Sequence, residues 1–233
     1  MKTILLIRHA PADYLDGKRC CLGSRTDAPI TAEGRAAACA LAPLLRERGV
    51  AAVWSSPMLR CRQTAQAMAG DLPVGTVPGL EELDCGDWDG LSFDEIRARY
   101  PEDYARRGLD PALPPPGGET PEAAAQRGLA ALYDLAARTR GDLAVVAHAG
   151  LNRAVLCALL DKPFREMRTL PQPYLCVNIL RYDGGRFAVD AVGIPFPRRD
   201  VGIAPYGKRQ CKEERRDVGI APYAERQCKE ELP

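Results

Sequence analysis

The sequence predicts an α/β fold, a parallel sheet covered by helices on both faces. Short aliphatic runs at Thr3–Ile7, Val50–Ser56 and Asp142–Ala147 alternate with stretches of helical period up to about residue 160. Thr3–Ile7 and Asp142–Ala147 are near-continuously apolar, as strands buried on both faces are. Most of the helical stretches carry start and stop residues at their ends.

Taken in order, Thr3–Ile7 is the first strand and Asp13–Ile30, with its Gly, Pro, Asp and Ser, is a loop. Thr31 caps a helix that runs to Arg48, kinks at Pro43 and stops at Gly49. Val50–Ser56 is the second strand, and Pro57 opens a helix at its first turn. Leu72–Gly79 is a weak third strand, Glu81–Gly90 a loop and Ser92–Arg99 a short helix. Tyr100–Gly118, containing Pro114-Pro115-Pro116, reads as irregular and exposed. Thr120-Pro121-Glu122 starts a long helix, Asp142–Ala147 is a buried strand, and Gly150–Asp161 is a helix. Leu175–Val192 reads as a hairpin about Asp183-Gly184-Gly185. Ligands of such sheets bind at the carboxyl ends of the strands. The chain has two histidines, His9 and His148, and each ends a predicted strand on that rim.

A length of 233 residues suits one substantial domain with a tail, here residues 1–195 and 196–233. A net charge of +1 gives no reason to expect nucleic acid or an acidic membrane surface. No apolar run approaches the roughly 20 residues of a spanning helix, and Met1–Ile7 lacks a signal-peptide pattern and reads as mature protein. The nine cysteines include no C-x-x-C pair and are odd in number, which argues against a disulfide framework or structural zinc and for a reducing, cytoplasmic setting. The tail holds tandem 17-residue copies, Arg198–Glu214 and Arg215–Glu231, which differ only at Gly207/Ala224 and Lys208/Glu225. Two copies are too few for a solenoid. Three readings stay open for them: a duplication without a role, a docking segment for a partner (a second copy of this chain, making a homodimer, included), or a redox-sensitive element through Cys211 and Cys228.

The chemistry concentrates on the rim. His9 follows Arg8, and a guanidinium beside an imidazole disfavours a metal cation and favours an anion. Arg60 lies in the first turns of a helix that follows a strand, at the same rim. Two guanidiniums and two imidazoles there suit a doubly charged tetrahedral anion, phosphate. A neutral imidazole can carry a phosphoryl group covalently. Arg8, Arg60 and a protonated His148 would neutralise the transferring group without a metal. In the loop "LEELDCGDWDG" the carboxylates Glu81, Glu82, Asp84, Asp87 and Asp89 compete as the leaving-group acid, and residue chemistry alone does not separate them. Arg62 reads as surface charge, Trp88 as loop packing, and Cys20-Cys21 as ordinary thiols.

Five stretches occur in order: "LLIRHA", "SSPMLRCRQTA", "LEELDCGDWDGLS", "GGET" and "VVAHAG". Together they resemble the phosphoglycerate mutase-like histidine phosphatase superfamily over about Lys2–Val192. The resemblance implies a three-layer α/β/α sandwich around a mostly parallel sheet. It implies that His9 is the phosphorylated nucleophile, that Arg8, Arg60 and His148 hold the phosphoryl group, and that Glu82 protonates the leaving oxygen and later activates water. "CLGSRTDAPIT" resembles the family's substrate loop with one extra residue, which brings in Ser24 and Thr26 as substrate-binding positions. No cofactor and no metal are implied. Ala10 and Ala149 stand where the family usually has glycine, and Pro11–Asp13 where it offers polar groups to the phosphate. Only about 30 residues separate Gly90 from the Thr120 helix, without the mutase's long insertion, so the chain resembles the bacterial phosphatase branch that includes α-ribazole-phosphate phosphatases. The expectation is a metal-independent phosphomonoesterase acting on a small phosphorylated metabolite, with α-ribazole 5'-phosphate as the first substrate. The alternatives are a phosphoglycerate mutase, a broad-specificity sugar-phosphate phosphatase, or a phosphate-binding adaptor acting through the tail.

Overall fold

Two parallel strands, β1 (Lys2–Arg8) and β4 (Asp142–Ala147), lie side by side at the centre of the sheet. The computed structural model describes residues 1–195 apart from Leu15, Asp16 and Lys18. The tandem repeat and its three readings fall outside the described residues. Beyond β4 come β2 (Val50–Ser55) and β3 (Val74–Thr76), both parallel, and beyond β1 come β5 (Val177–Tyr182) and β6 (Phe187–Ile194), both antiparallel. The order is β3-β2-β4-β1-β5-β6, so the expected mostly parallel sheet is present. The β5–β6 hairpin turns where Asp183 accepts from the amides of Gly185 and Arg186.

Strand alternation sends alternate residues of β1 to opposite faces of the sheet. Ile4 and Leu6, with Leu143 and Val145 of β4, join a core built with α6 (Pro121–Arg138) and α7 (Ala149–Leu159). On the other face lie α1 (Ala32–Cys39), α2 (Ala42–Glu47) and α3 (Leu59–Ala69). The result is three layers, α/β/α. Among the described residues no helix is long and apolar enough to cross a membrane.

Two expectations about helices are corrected. Thr31 does cap the first helix, its hydroxyl accepting from Gly34, but the stretch to Arg48 is two helices rather than one kinked helix. Pro43 has no N–H to continue the ladder, and its ring excludes the carbonyl four residues back at Cys39, so the chain restarts at Ala42. Tyr100–Gly118 is not wholly irregular, because Pro101–Leu109 forms α5 after α4 (Phe93–Arg99). Pro101 sits in its first turn with Glu102 and Asp103, and Arg106 and Arg107 sit in its last, which suits the helix dipole. Pro101, Tyr104, Ala105, Gly108 and Leu109 fall at helical spacing, although none of its residues is buried.

Candidate active site

The register of β1 and β4 ends with Arg8 opposite Ala147, and the next residues are His9 and His148. The His9 amide donates to Ala147 O at 3.0 Å, and the two imidazoles meet edge-on with centroids 5.3 Å apart. β2 pairs Ser55 with Val146, which delivers Ser56 to the same rim with its hydroxyl 2.9 Å from His148 Nε2. α3 adds Arg60 from its first turn, and Asp27 caps that turn by accepting from the Leu59 amide at 2.6 Å.

Both histidines are neutral, and their partners fix the tautomers. His9 Nδ1 donates to Ala10 O at 2.7 Å, which leaves the Nε2 lone pair free. Burial, reinforced by the charges of Arg60 and Arg8, holds the His9 pKa well below its ordinary 6.5. His148 Nδ1 accepts from Arg60 Nε at 3.2 Å, so the proton lies on Nε2 and is donated to Ser56. Burial, then Arg60 and His9, hold this pKa well below 6.5 too. A fully buried imidazole facing a guanidinium and a second imidazole disfavours a second proton, so the protonated His148 of the sequence reading needs a negative charge beside it.

Arg60 is 1% exposed, and its terminal nitrogens donate to Thr26 O (3.0 Å) and Gly23 O (3.1 Å). Each terminal nitrogen has a second N–H to offer. Arg8 donates to Gln172 O at 2.6 Å and lies over the Tyr174 ring at 3.7 Å, while its Nε is buried without a hydrogen-bond partner. Arg8, His9, Arg60 and His148 are thus brought together. Thr26 reaches this group through its backbone carbonyl, and Ser24 is tied by its amide to Leu83 O at 3.2 Å. Among the described residues no group of three or more His, Cys, Asp and Glu could hold a metal ion.

The structure separates the five carboxylates of the acidic loop. Glu81 accepts from the Gly79 amide and pairs with Arg127. Asp84 pairs with Arg25 at 2.8 Å, Asp89 accepts from the Gly23 and Arg25 amides, and Asp87 is exposed. Glu82 alone sits on the α7 N-terminus, its Oε1 accepting from Leu83 and Leu151 (both 2.9 Å) and its Oε2 from Gly150 (3.0 Å). His148 immediately precedes that helix. Arg62 is exposed and Trp88 is buried beside Tyr104, as their surface-charge and packing readings expected.

A sequence model described as the histidine phosphatase superfamily, branch 1, matches residues 4–195. The chain belongs to this superfamily. It is 32% identical over 175 residues to a Caenorhabditis elegans 6-phosphofructo-2-kinase/fructose-2,6-bisphosphatase, covering 74% of this chain and 37% of that protein. A rat relative of the same name, number 1, is 31% identical over 176 residues, with 74% and 36% covered. The chain thus spans little more than a third of the length of these curated relatives. Among solved structures it is similar to Bacillus stearothermophilus YhfR, with a TM-score of 0.77, 29% identity, and 84% of this chain and 98% of that one covered. It is also similar to a mycobacterial glucosyl-3-phosphoglycerate phosphatase in complex with VO3, with a TM-score of 0.73, 27% identity, and 84% and 100% covered. An α-ribazole phosphatase from Shigella flexneri, 22% identical with a TM-score of 0.69, covers 84% of this chain and 100% of its own and shares the fold.

Sequence reasoning missed Ser56, Gln172, Tyr174 and Tyr14. Ser56 ends β2 on the rim and was open to the rule that singled out the histidines. Gln172 and Tyr174 come from an irregular turn before β5, where no periodicity points inward.

Proposed function

We propose that this histidine phosphatase hydrolyses phosphomonoesters through a phosphohistidine at His9, without a metal, and acts on a small phosphorylated metabolite. One observation carries the reading: His9 keeps its Nε2 lone pair free, Arg8 next to it in sequence has a buried Nε without a hydrogen-bond partner, and both side chains pack on Tyr174. A nucleophile and a vacant cationic donor at one point match an incoming phosphoryl group. In this reading His9 Nε2 attacks phosphorus and the ester P–O bond breaks. Glu82 protonates the departing oxygen, then takes a proton from the water that attacks phospho-His9, and inorganic phosphate leaves. Arg8 and the remaining N–H groups of Arg60 neutralise the equatorial oxygens. His148 gains a proton as the dianion enters, because an opposite charge favours the imidazolium.

The first substrate to test is α-ribazole 5'-phosphate, a reading supported by the short segment between Gly90 and Thr120, which here holds only α4 and α5. A second reading, a phosphorylated sugar such as fructose 2,6-bisphosphate or glucosyl-3-phosphoglycerate, is favoured by the names of the relatives above. The chain is assayed on a generic aryl phosphate with and without chelator, as wild type and as His9→Ala, and then on a panel of these esters. The expected result is chelator-resistant turnover that disappears in His9→Ala. Turnover that needs a divalent metal, or survives the substitution, refutes the mechanism, and the panel ranks the substrates by kcat/KM.

A further inference from the structure

Tyr174 touches both groups that define the nucleophilic corner. Its ring meets the His9 imidazole edge-on, with centroids 5.6 Å apart and planes at 61°. The Arg8 guanidinium lies over the same ring at 3.7 Å. His148 meets the His9 ring edge-on as well, at 5.3 Å, so two rings contact the His9 imidazole while Nδ1 is held by Ala10. Neither the strand that ends on Arg8 nor the strand that leads to His148 supplies this tyrosine. It comes from the turn before β5.

That turn is built to hold it. Leu175 has φ 60, a left-handed conformation that a branched residue adopts only under constraint. The constraint is visible in the backbone: Leu175 N donates to Arg8 O and Arg8 N donates to Cys176 O, both at 3.2 Å. The turn therefore grips the main chain of Arg8 while Tyr174 covers the face of its side chain. The Arg8 side chain gives one terminal nitrogen to Gln172 O of the same turn and keeps its buried Nε unpartnered. The Tyr174 hydroxyl is 3.1 Å from that of Tyr14, which anchors it to the loop after β1.

We propose that Tyr174 is a positioning residue for phosphoryl transfer. It fixes the His9 ring and the Arg8 guanidinium in one arrangement, and the Tyr14 hydroxyl orients it. The proposal rests on His9 being the nucleophile. A flat guanidinium held on an aromatic face cannot turn its unpartnered edge away from the anion, and an imidazole packed against two rings with Nδ1 tied to Ala10 O cannot turn its lone pair away from phosphorus. Restriction of this kind acts on the transition state more than on ground-state binding, so it lowers kcat when removed.

The test follows formation of phospho-His9 from an aryl phosphate by rapid quench, with kcat and KM, in Tyr174→Leu, Tyr174→Phe, Tyr14→Phe and Arg8→Lys, and in the Arg8→Lys/Tyr174→Leu pair. A thermal melt of each variant confirms folding. Tyr174→Leu is expected to slow phosphohistidine formation and kcat about tenfold with KM changed less than about twofold, on the scale of a lost cation–π contact. Tyr174→Phe, which keeps the ring, recovers most of that loss. Tyr14→Phe removes one hydroxyl and no packing, and slows the same step by about threefold. Lysine cannot stack as a plane, so in the Arg8→Lys background Tyr174→Leu loses clearly less than tenfold. A rise in KM alone, wild-type phosphorylation in Tyr174→Leu, or equal losses in both backgrounds overturns the proposal. Absence of phospho-His9 in the wild-type protein is a different failure: it overturns the nucleophile reading first, and this proposal with it.

Discussion

Glu82 shows what a single residue gains from its setting. Three backbone amides converge on its two oxygens, and two of them belong to the first turn of α7, directly after His148. A glutamine there keeps the size and loses the acid. Its amide nitrogen also faces the Gly150 N–H donor to donor, which costs about 1–3 kcal/mol of stability for an unmet buried group. Glu82→Gln is expected to slow alkyl phosphates, whose leaving oxygen needs a proton, by about 10²–10³, and nitrophenyl phosphate by only a few-fold. Equal losses on both esters would move the acid elsewhere. The sequence left Glu82 tied with four other carboxylates on residue chemistry, because the distinction is made by partners distant in the chain: Arg25, Arg127 and the Gly150 amide. His9 and His148 were legible because each ends an apolar run, and that position is written locally. Tyr174 was not, because its relevance depends on a left-handed turn at Leu175 that no pattern announces.

The same point can be made of an element, α7. Its second residue is Gly150, and a Cβ there would lie 2.6 Å from Glu82 Oε1 and 3.0 Å from Leu83 Cδ1. No positive φ requires glycine at this position, so the requirement is space for the carboxylate. Alanine is the better helix former by up to about 1 kcal/mol, so Gly150→Ala should leave the melting temperature near that of wild type. It should nevertheless displace Glu82 and reduce turnover of alkyl phosphates about tenfold, measured as kcat beside a thermal melt. Unchanged kcat would show that the carboxylate need not sit on the helix terminus. The apolar stripes of α3 and α6 were legible in the sequence, but α3 begins at Leu59, capped by the distant Asp27, and not with Pro57 in its first turn. The Cys39–Ala42 break and α5 were not. A proline can kink a helix or restart it, and which occurs is decided by packing. The apolar period of α5 spans only nine residues and opens on a proline, so it reads together with the proline-rich stretch that follows it.

For the whole molecule, the site ties stability to pH. The order of the sheet brings the ends of β1 and β4 together and so places the chain's two histidines in one buried pair. Both have folded-state pKa values well below 6.5, chiefly through burial. Below about pH 6.5 the unfolded chain takes up protons that the folded chain refuses, so stability falls as pH falls, by up to about 1.4 kcal/mol per pH unit for each histidine. The carboxylates with lowered pKa values, Asp84, Glu166 and Asp183, lose their contributions only below about pH 4. The slope between pH 6.5 and 5 therefore belongs to the site. Urea unfolding at pH 7, 6 and 5 should show this fall, and His148→Gln, which removes one of the two refusing groups, should halve it. Vanadate, as an anion that favours the imidazolium form of His148, should flatten the slope in the wild type. A pH-independent midpoint across this window would mean that the histidines are charged in the folded chain, which the Arg60 N–H donated to His148 Nδ1 does not allow.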